Sequence, residues 1–302
     1  MTTTIEQLDQ RLLRVEQHLG FIEDPEPSEW EEIMRLETPG VDTYAVPYTG
    51  FGNCGDWLPY QKGQEIRVRN IDGRDVDNSN QFYIRGTNYT VGNVVHSTMH
   101  ELFTGLYYSV FFKNGTMIKR HRYPTGEDRS LHLDNGIWRM FIRPTPHSAR
   151  KMALQTSNNF LDWTEPVPVR INGLAQYEQS YNMTPFKIGN DWYAFVTIYN
   201  NSPNTLPPYQ HTEHTLRPAL YKWVNGSLLD WSPVGNDCDI NTGLGIMQCV
   251  ATPVVKDGNI YITTIESERR HTDWCNVNER ESKPYFTRVL KMSVANFQQK
   301  YL

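Results

Sequence analysis

Four cysteines in 302 residues, none in a Cys-x-x-Cys pair, give neither the ligand spacing of a zinc site nor a disulfide framework. Cys54, Cys238, Cys249 and Cys275 read as reduced thiols of a protein made and kept in cytosol. No apolar run approaches the roughly 20 residues of a membrane span, and the polar N-terminus lacks a signal-peptide pattern. Membrane insertion is therefore not expected. A basic excess is also missing. The net charge of -5 gives no general attraction to nucleic acid or anionic lipid. The one basic run, Lys119-Arg120-His121-Arg122, is short and reads as a solvated strand edge. There is no Gly-x-Ser-x-Gly elbow, Walker loop or dinucleotide fingerprint. His211-Thr212-Glu213-His214 lacks the i, i+4 histidine spacing of a zinc helix, and Pro208 and Pro218 flank it. Neither a metal nor a cofactor is expected.

Aromatic residues and turn formers are plentiful. The chain is 12% aromatic and holds 20 Gly and 18 Pro, a weighting that favours strands and turns. One phrase recurs. Thr184-Pro185-Phe186-Lys187-Ile188-Gly189-Asn190-Asp191-Trp192-Tyr193 and Thr252-Pro253-Val254-Val255-Lys256-Asp257-Gly258-Asn259-Ile260-Tyr261 run apolar residues into a Gly/Asn/Asp turn, then reach an aromatic. Such turns accept the positive φ of tight hairpins. Ser130-Leu131-His132-Leu133-Asp134-Asn135-Gly136-Ile137-Trp138 is a third copy, and the stretch from Thr98 to Tyr107 a weaker fourth. Four hairpins in one register indicate a repeat architecture. At roughly 50 residues per unit, the length beyond Val41 accommodates about five four-stranded blades. A β-sandwich is the second choice.

Residues 1–24 differ from the rest. Ile5, Leu8, Leu12, Val15, Leu19 and Ile22 alternate spacings of three and four, a heptad seam. An isolated helix of this length is marginal in water and needs partners. Leu at a with Val15 and Ile22 at d leans toward trimers or tetramers, so a homo-oligomer with a trimer favoured is expected through these residues. Residues 25–40 read as a linker with one short helix, where Ser28 and Glu31 form a capping box and Trp30, Ile33, Met34 and Leu36 an apolar side. Residues 41–302 form the β domain.

The Thr-Pro-apolar…Asp-Gly-x-aromatic unit, followed by Ala153-Leu154-Gln155-Thr156-Ser157-Asn158-Asn159-Phe160-Leu161-Asp162-Trp163-Thr164-Glu165-Pro166, resembles the five-bladed propellers of arabinanases, xylosidases, invertases and levansucrases. The second phrase also resembles a degraded sialidase Asp box. The resemblance covers residues 95 to 300 and implies an all-β, five-bladed β-propeller, here preceded by an N-terminal coiled-coil helix. It also implies glycosidic cleavage by carboxyl groups on different blades, one an acid and one a nucleophile or base. In that family acidic residues stand just before the proline of the repeated unit. Here the position two before the proline slot holds Ser97, Asp128, Met183 and Ala251. Only Asp128 is acidic, and Met183 stands where the resemblance places the general acid. If the chain is an enzyme, Asp128 with Glu178 or Glu266 is the expected carboxyl pair.

That departure favours a protein without catalysis. An oligomerising helix, a linker and a propeller with eroded catalytic positions resemble a tail or head fibre or decoration protein of a tailed phage. The expected location is the virion, assembled in host cytoplasm. Expected partners are further copies of the chain, other virion proteins and cell-surface glycan. Trp57, Arg269, Arg270 and Trp274 are the candidate binding residues: sugars stack on exposed aromatic faces, and arginine pairs bidentately with carboxylates. An active glycoside hydrolase and a cytosolic interaction scaffold are the alternatives.

Overall fold

The computed structural model describes residues 30–38, 57–62, 65–70, 82–101, 106–114, 116–124, 129–144, 150–200, 214–234, 246–249, 252–268 and 285–302. The expected N-terminal helix, with Ile5, Leu8, Leu12, Val15, Leu19 and Ile22, lies outside the described residues, as do Asp128, Arg269, Arg270 and Trp274. No described helix is long and apolar enough to cross a membrane.

The described chain is mostly strand. β1 (Glu31–Thr38) is followed by the hairpin of β2 (Trp57–Lys62) and β3 (Glu65–Asn70). Trp57 is described only as the first residue of β2. A four-stranded antiparallel meander comes next: β4 (Phe82–Val91), β5 (Val94–Glu101), β6 (Leu106–Lys113) and β7 (Thr116–Pro124). The second meander is β8 (Arg129–Asp134), β9 (Ile137–Ile142), β10 (Ala153–Ser157) and the short β11 (Val167–Pro168). β12 (Arg170–Ile171) precedes the third, formed by β13 (Glu178–Ile188), β14 (Asp191–Asn200), β15 (Leu216–Val224) and β16 (Ser227–Pro233). β12 lies parallel on the outer edge of β16. In the fourth, β17 (Ile246–Cys249) and β18 (Val254–Lys256) both pair with β19 (Asn259–Ser267). β20 (Tyr285–Ser293) follows, and α1 (Val294–Tyr301) closes the chain. One parallel pairing, Leu216 with Ile246, links the third and fourth meanders.

Residues 31–38 correct one expectation. Instead of a short helix they form β1, paired antiparallel along β20 from Glu31–Lys291 to Thr38–Tyr285. A short isolated helix is marginal in water, whereas the edge of β20 offers a full ladder of hydrogen bonds. Side chains reinforce the docking. Glu31 pairs with Lys291 at 3.3 Å, Glu32 with Arg288 at 3.5 Å, and the Arg35 guanidinium lies 4.1 Å over Phe286. Trp30 packs against Phe195 and Phe297 and donates from Nε1 to the Tyr301 hydroxyl at 3.2 Å.

Three of the four repeated phrases fold as expected. The turns at Asn135-Gly136, Gly189-Asn190 and Asp257-Gly258 join β8 to β9, β13 to β14 and β18 to β19. Asn135 and Asp257 sit at φ 52° and 51°, values that their short polar side chains tolerate. The weak fourth copy was misplaced. Residues 102–105 connect the second and third strands of the first meander, whereas its first and second strands turn at Gly92-Asn93. An apolar run with a nearby glycine does not reveal which pair of strands it joins.

Side-chain alternation stacks the meanders in chain order. Along β14, Trp192, Ala194, Val196 and Ile198 pack with Phe141, Met152 and Leu154 of the second meander. Their neighbours Tyr193 and Phe195 pack with Ile260, Ile262, Leu290 and Met292 of the fourth. β9 is divided likewise: Phe141 faces the third meander, and Met140 and Ile142 join Phe111 of the first. A two-sheet sandwich buries one face of each sheet; here the second and third meanders are buried on both. Phe297 of α1, fully buried, plugs the third-to-fourth interface beneath Phe186 and Tyr193.

Strand directions give the stack two unlike ends. At one, the turn end, lie the tight turns at 92–93, 135–136, 189–190, 225–226 and 257–258, together with α1. At the other, the connection end, strands finish or begin beside residues 125–128, 145–149, 201–213, 235–245 and 269–284.

Candidate functional site

The chemistry-bearing side chains gather at the connection end. Arg143 follows β9, Arg150 precedes β10, Glu178 to Tyr181 open β13, Tyr199 nears the end of β14, and His214 and Arg217 flank the start of β15. Antiparallel pairing alone brings these positions to one height. Arg143, only 2% exposed, donates to the Tyr181 carbonyl at 3.1 Å and lies 4.2 Å over the Tyr181 ring. The Arg150 guanidinium lies 4.3 Å over Tyr199 and reaches Gln179 Oε1 at 3.4 Å. Tyr199 Oη and His214 Nδ1 are 2.7 Å apart. His214 itself adopts φ 55°, and its N–H donates to the Asn200 carbonyl at 2.9 Å. The side chains of Arg143, Arg150, Tyr181 and Tyr199 are all buried, so the stacked guanidinium and ring faces pack the second and third meanders together at this end.

Both described candidate carboxylates belong to this end, and each is held by an arginine. Glu178 accepts from Arg217 Nη2 at 2.7 Å and from the Ala175 N–H at 2.9 Å. Glu266, with no exposed surface, accepts from Arg288 Nε at 2.6 Å and from the Thr264 hydroxyl at 2.7 Å. Arg288 also reaches Glu32 of β1, so one cation bridges the edge strand and a buried acid.

The slot that the family resemblance gives to the acid is filled differently. Met183, 1% exposed, packs with Trp192, Ala194 and Val196 in the core between the second and third meanders. Its carbonyl accepts from Ser130 Oγ at 2.7 Å. Similar bonds tie the other first strands together: Asn182 Nδ2 to the Cys249 carbonyl at 2.8 Å, and Thr252 Oγ1 to the Leu131 carbonyl at 3.0 Å. The first strands are thus mutually bonded through small polar residues.

The phrase resembling an Asp box is structural. Asn159 Oδ1 accepts from the N–H groups of Leu161 and Asp162, and Trp163 Nε1 donates to the Phe160 carbonyl at 2.9 Å. Asp162 is bonded by Lys119 of the first meander, which holds its carboxyl below the usual range. Leu228 to Trp231 repeats the pattern: Trp231 Nε1 donates to the Leu228 carbonyl at 2.8 Å, and Asp230 pairs with Arg170. Both tryptophans are buried between sheets.

Arg143, Arg150, Tyr181 and Tyr199 were not singled out by the sequence. They lie up to 56 residues apart and share no spacing. The register of β13 and β14, together with the packing of the second meander on the third, makes them neighbours. Among the described residues no cluster of His, Cys, Asp and Glu could hold a metal ion.

The chain matches no described protein family and no curated protein. Among solved structures it is similar to carbohydrate-active enzymes. One is the family 32 β-fructofuranosidase of Bombyx mori, at 11% identity and a TM-score of 0.44, covering 74% of this chain and 51% of that one. Another is the β-1,2-mannobiose phosphorylase of Listeria innocua, at 10% identity and TM-score 0.47, covering 78% and 69%. A β-xylosidase, RS223, stands at 8% identity and TM-score 0.42, covering 78% and 79%. The chain spans about half the length of the β-fructofuranosidase. With TM-scores below 0.5, these likenesses fix neither substrate nor activity for this chain.

Proposed function

We propose that this chain is a five-bladed β-propeller that binds rather than cleaves, acting as a structural or attachment protein of a tailed-phage virion. The four stacked meanders serve as four blades and the β2–β3 hairpin, which contacts β4, as part of the fifth. The observation that carries the reading is Met183. The acid slot is not merely neutral; its side chain is embedded in an apolar core. The pairing of Glu178 and Glu266 with arginines adds to this. The heptad pattern of residues 5–22 supports presentation as an oligomer, with trimers favoured.

Two measurements test this. Light scattering of the full chain and of a chain lacking residues 1–24 should give a trimer and a monomer; two monomers would remove the assembly reading. Incubation with aryl fructosides, xylosides, arabinosides and mannosides should release no phenol. A second reading, glycoside hydrolase, keeps one point in its favour: Glu178 and Glu266 lie at the same end of adjacent meanders. Turnover abolished by Glu178→Gln or Glu266→Gln would establish it.

A further inference from the structure

We infer that the layer between the third and fourth meanders encloses a water-binding site built by Asn182, Thr197 and Arg288. The bound water ties the third meander to the arginine that holds Glu266. Register places these groups together. Asn182 of β13 is the Cα partner of Thr197 on β14, so the two side chains leave one face as neighbours. That face meets the fourth meander: two residues back along β14, Phe195 packs with Ile262 and Leu290. β14 and β19 both run from the turn end to the connection end, so a step of two residues from Phe195 and Ile262 leads to Thr197 and Thr264. Arg288 is the Cα partner of Thr264 on β20. From the inner side, Asn182 Nδ2 donates to the carbonyl of Cys249, which itself pairs with Thr264.

Space and unmet hydrogen bonds coincide in this layer. Sheets packed face to face lie about 10 Å apart. Phe195 against Ile262 and Leu290 fills that gap with apolar bulk, whereas Thr197 and Thr264 bring two short side chains to it. Both threonines are fully buried, and Asn182 is nearly so. Among the described residues, Asn182 Oδ1, Thr197 Oγ1 and Arg288 Nη2 are buried atoms without a hydrogen-bond partner. Neighbouring groups cannot supply one: the Thr264 hydroxyl and Arg288 Nε are both committed to Glu266. The Asn182 amide cannot turn over to relieve its oxygen, because Nδ2 is held by the Cys249 carbonyl.

One acceptor, one hydroxyl and one donor form a set that water completes. It accepts from Arg288 Nη2, donates to Asn182 Oδ1 and takes either role toward Thr197 Oγ1. Each of these atoms left dry carries its own desolvation cost, and a buried water making about three bonds offsets it. Other guests match less well. The guanidinium repels a cation, Glu266 and Glu32 already balance its charge against an anion, and an apolar guest satisfies none of the three atoms.

The test counts long-lived internal waters in the full chain by oxygen-17 magnetic relaxation dispersion. The parent is compared with Thr197→Val, which exchanges the hydroxyl for a methyl at nearly constant shape. The expected result is one long-lived water fewer in the variant. Its denaturation midpoint should also fall, because Asn182 Oδ1 and Arg288 Nη2 lose their bridge. A dry layer gives the opposite pattern: the count stays the same, and the midpoint holds or rises because an unpartnered buried hydroxyl has been removed. An unchanged count, or a midpoint at or above that of the parent, overturns the site.

Discussion

The turn end and the connection end are built on the same strands yet made of different chemistry. Toward the turn end the inter-sheet layers are apolar: Phe186, Ile188, Tyr193, Phe195 and Phe297 close on Ile260, Ile262, Leu290 and Met292. Toward the connection end the same strands carry Glu178, Tyr181, Tyr199, Arg217, Glu266 and Arg288. The lesson is a division of labour along each strand. Continuous apolar alternation fixes register and stacking at one end. That rigidity lets the other end hold paired charges in place, where each charge needs its partner because water is scarce.

The sharpest way to break the comparison is to attack the apolar half. Trp231→Ala removes a fully buried ring that touches Phe141 across the second-to-third interface. It should cost about 3–5 kcal/mol in chemical denaturation. At the polar half, Arg288→Met strands the Glu266 carboxylate in a site with no exposed surface. The expected loss is about 3 kcal/mol, and adding Glu266→Leu should restore much of it, since removing both charges spares the desolvation cost. If the double variant is no more stable than the single one, the ion pair is not what holds this layer.

His132 tests the apolar half through pH. Burial, with the Arg139 charge beside it, lowers its pKa from 6.5 to about 3. The folded imidazole stays neutral while the unfolded one takes up a proton below about pH 6.5. The unfolded state then binds more protons, so stability falls as pH falls, by up to about 1.4 kcal/mol per unit between those values. In His132→Leu this contribution to the slope should vanish when denaturation is followed at pH 7, 5 and 4. Glu178→Gln probes a pair whose members are 17% and 29% exposed, and should cost about 1 kcal/mol. The smallest effect is expected from Glu31→Gln, whose partnership with Lys291 is largely in water. It should change stability by less than about 0.5 kcal/mol.

Much of the strand content was legible because its signals are local. Asn135-Gly136, Gly189-Asn190 and Asp257-Gly258 announce hairpins from a few residues each. The alternation along β14 is written in Trp192 to Ile198, although the two faces there are both apolar and the period shows only in which neighbour each side chain meets. β1 was not legible. Glu31 to Thr38 has the composition of a short helix, and the edge that converts it into a strand lies some 260 residues further along. The arginine–tyrosine cluster was invisible for the same reason.

The sequence by itself determined the all-β character, the repeated hairpins and the absence of an acid at Met183. These depend on residue identity and short spacing, which fix backbone φ and side-chain period. Only the tertiary structure decided that Met183 is core, that Glu178 and Glu266 each meet an arginine, and that residue 30 is pinned beside α1. Those outcomes follow from long-range strand pairing, in which a shift of one residue would send every side chain to the opposite face.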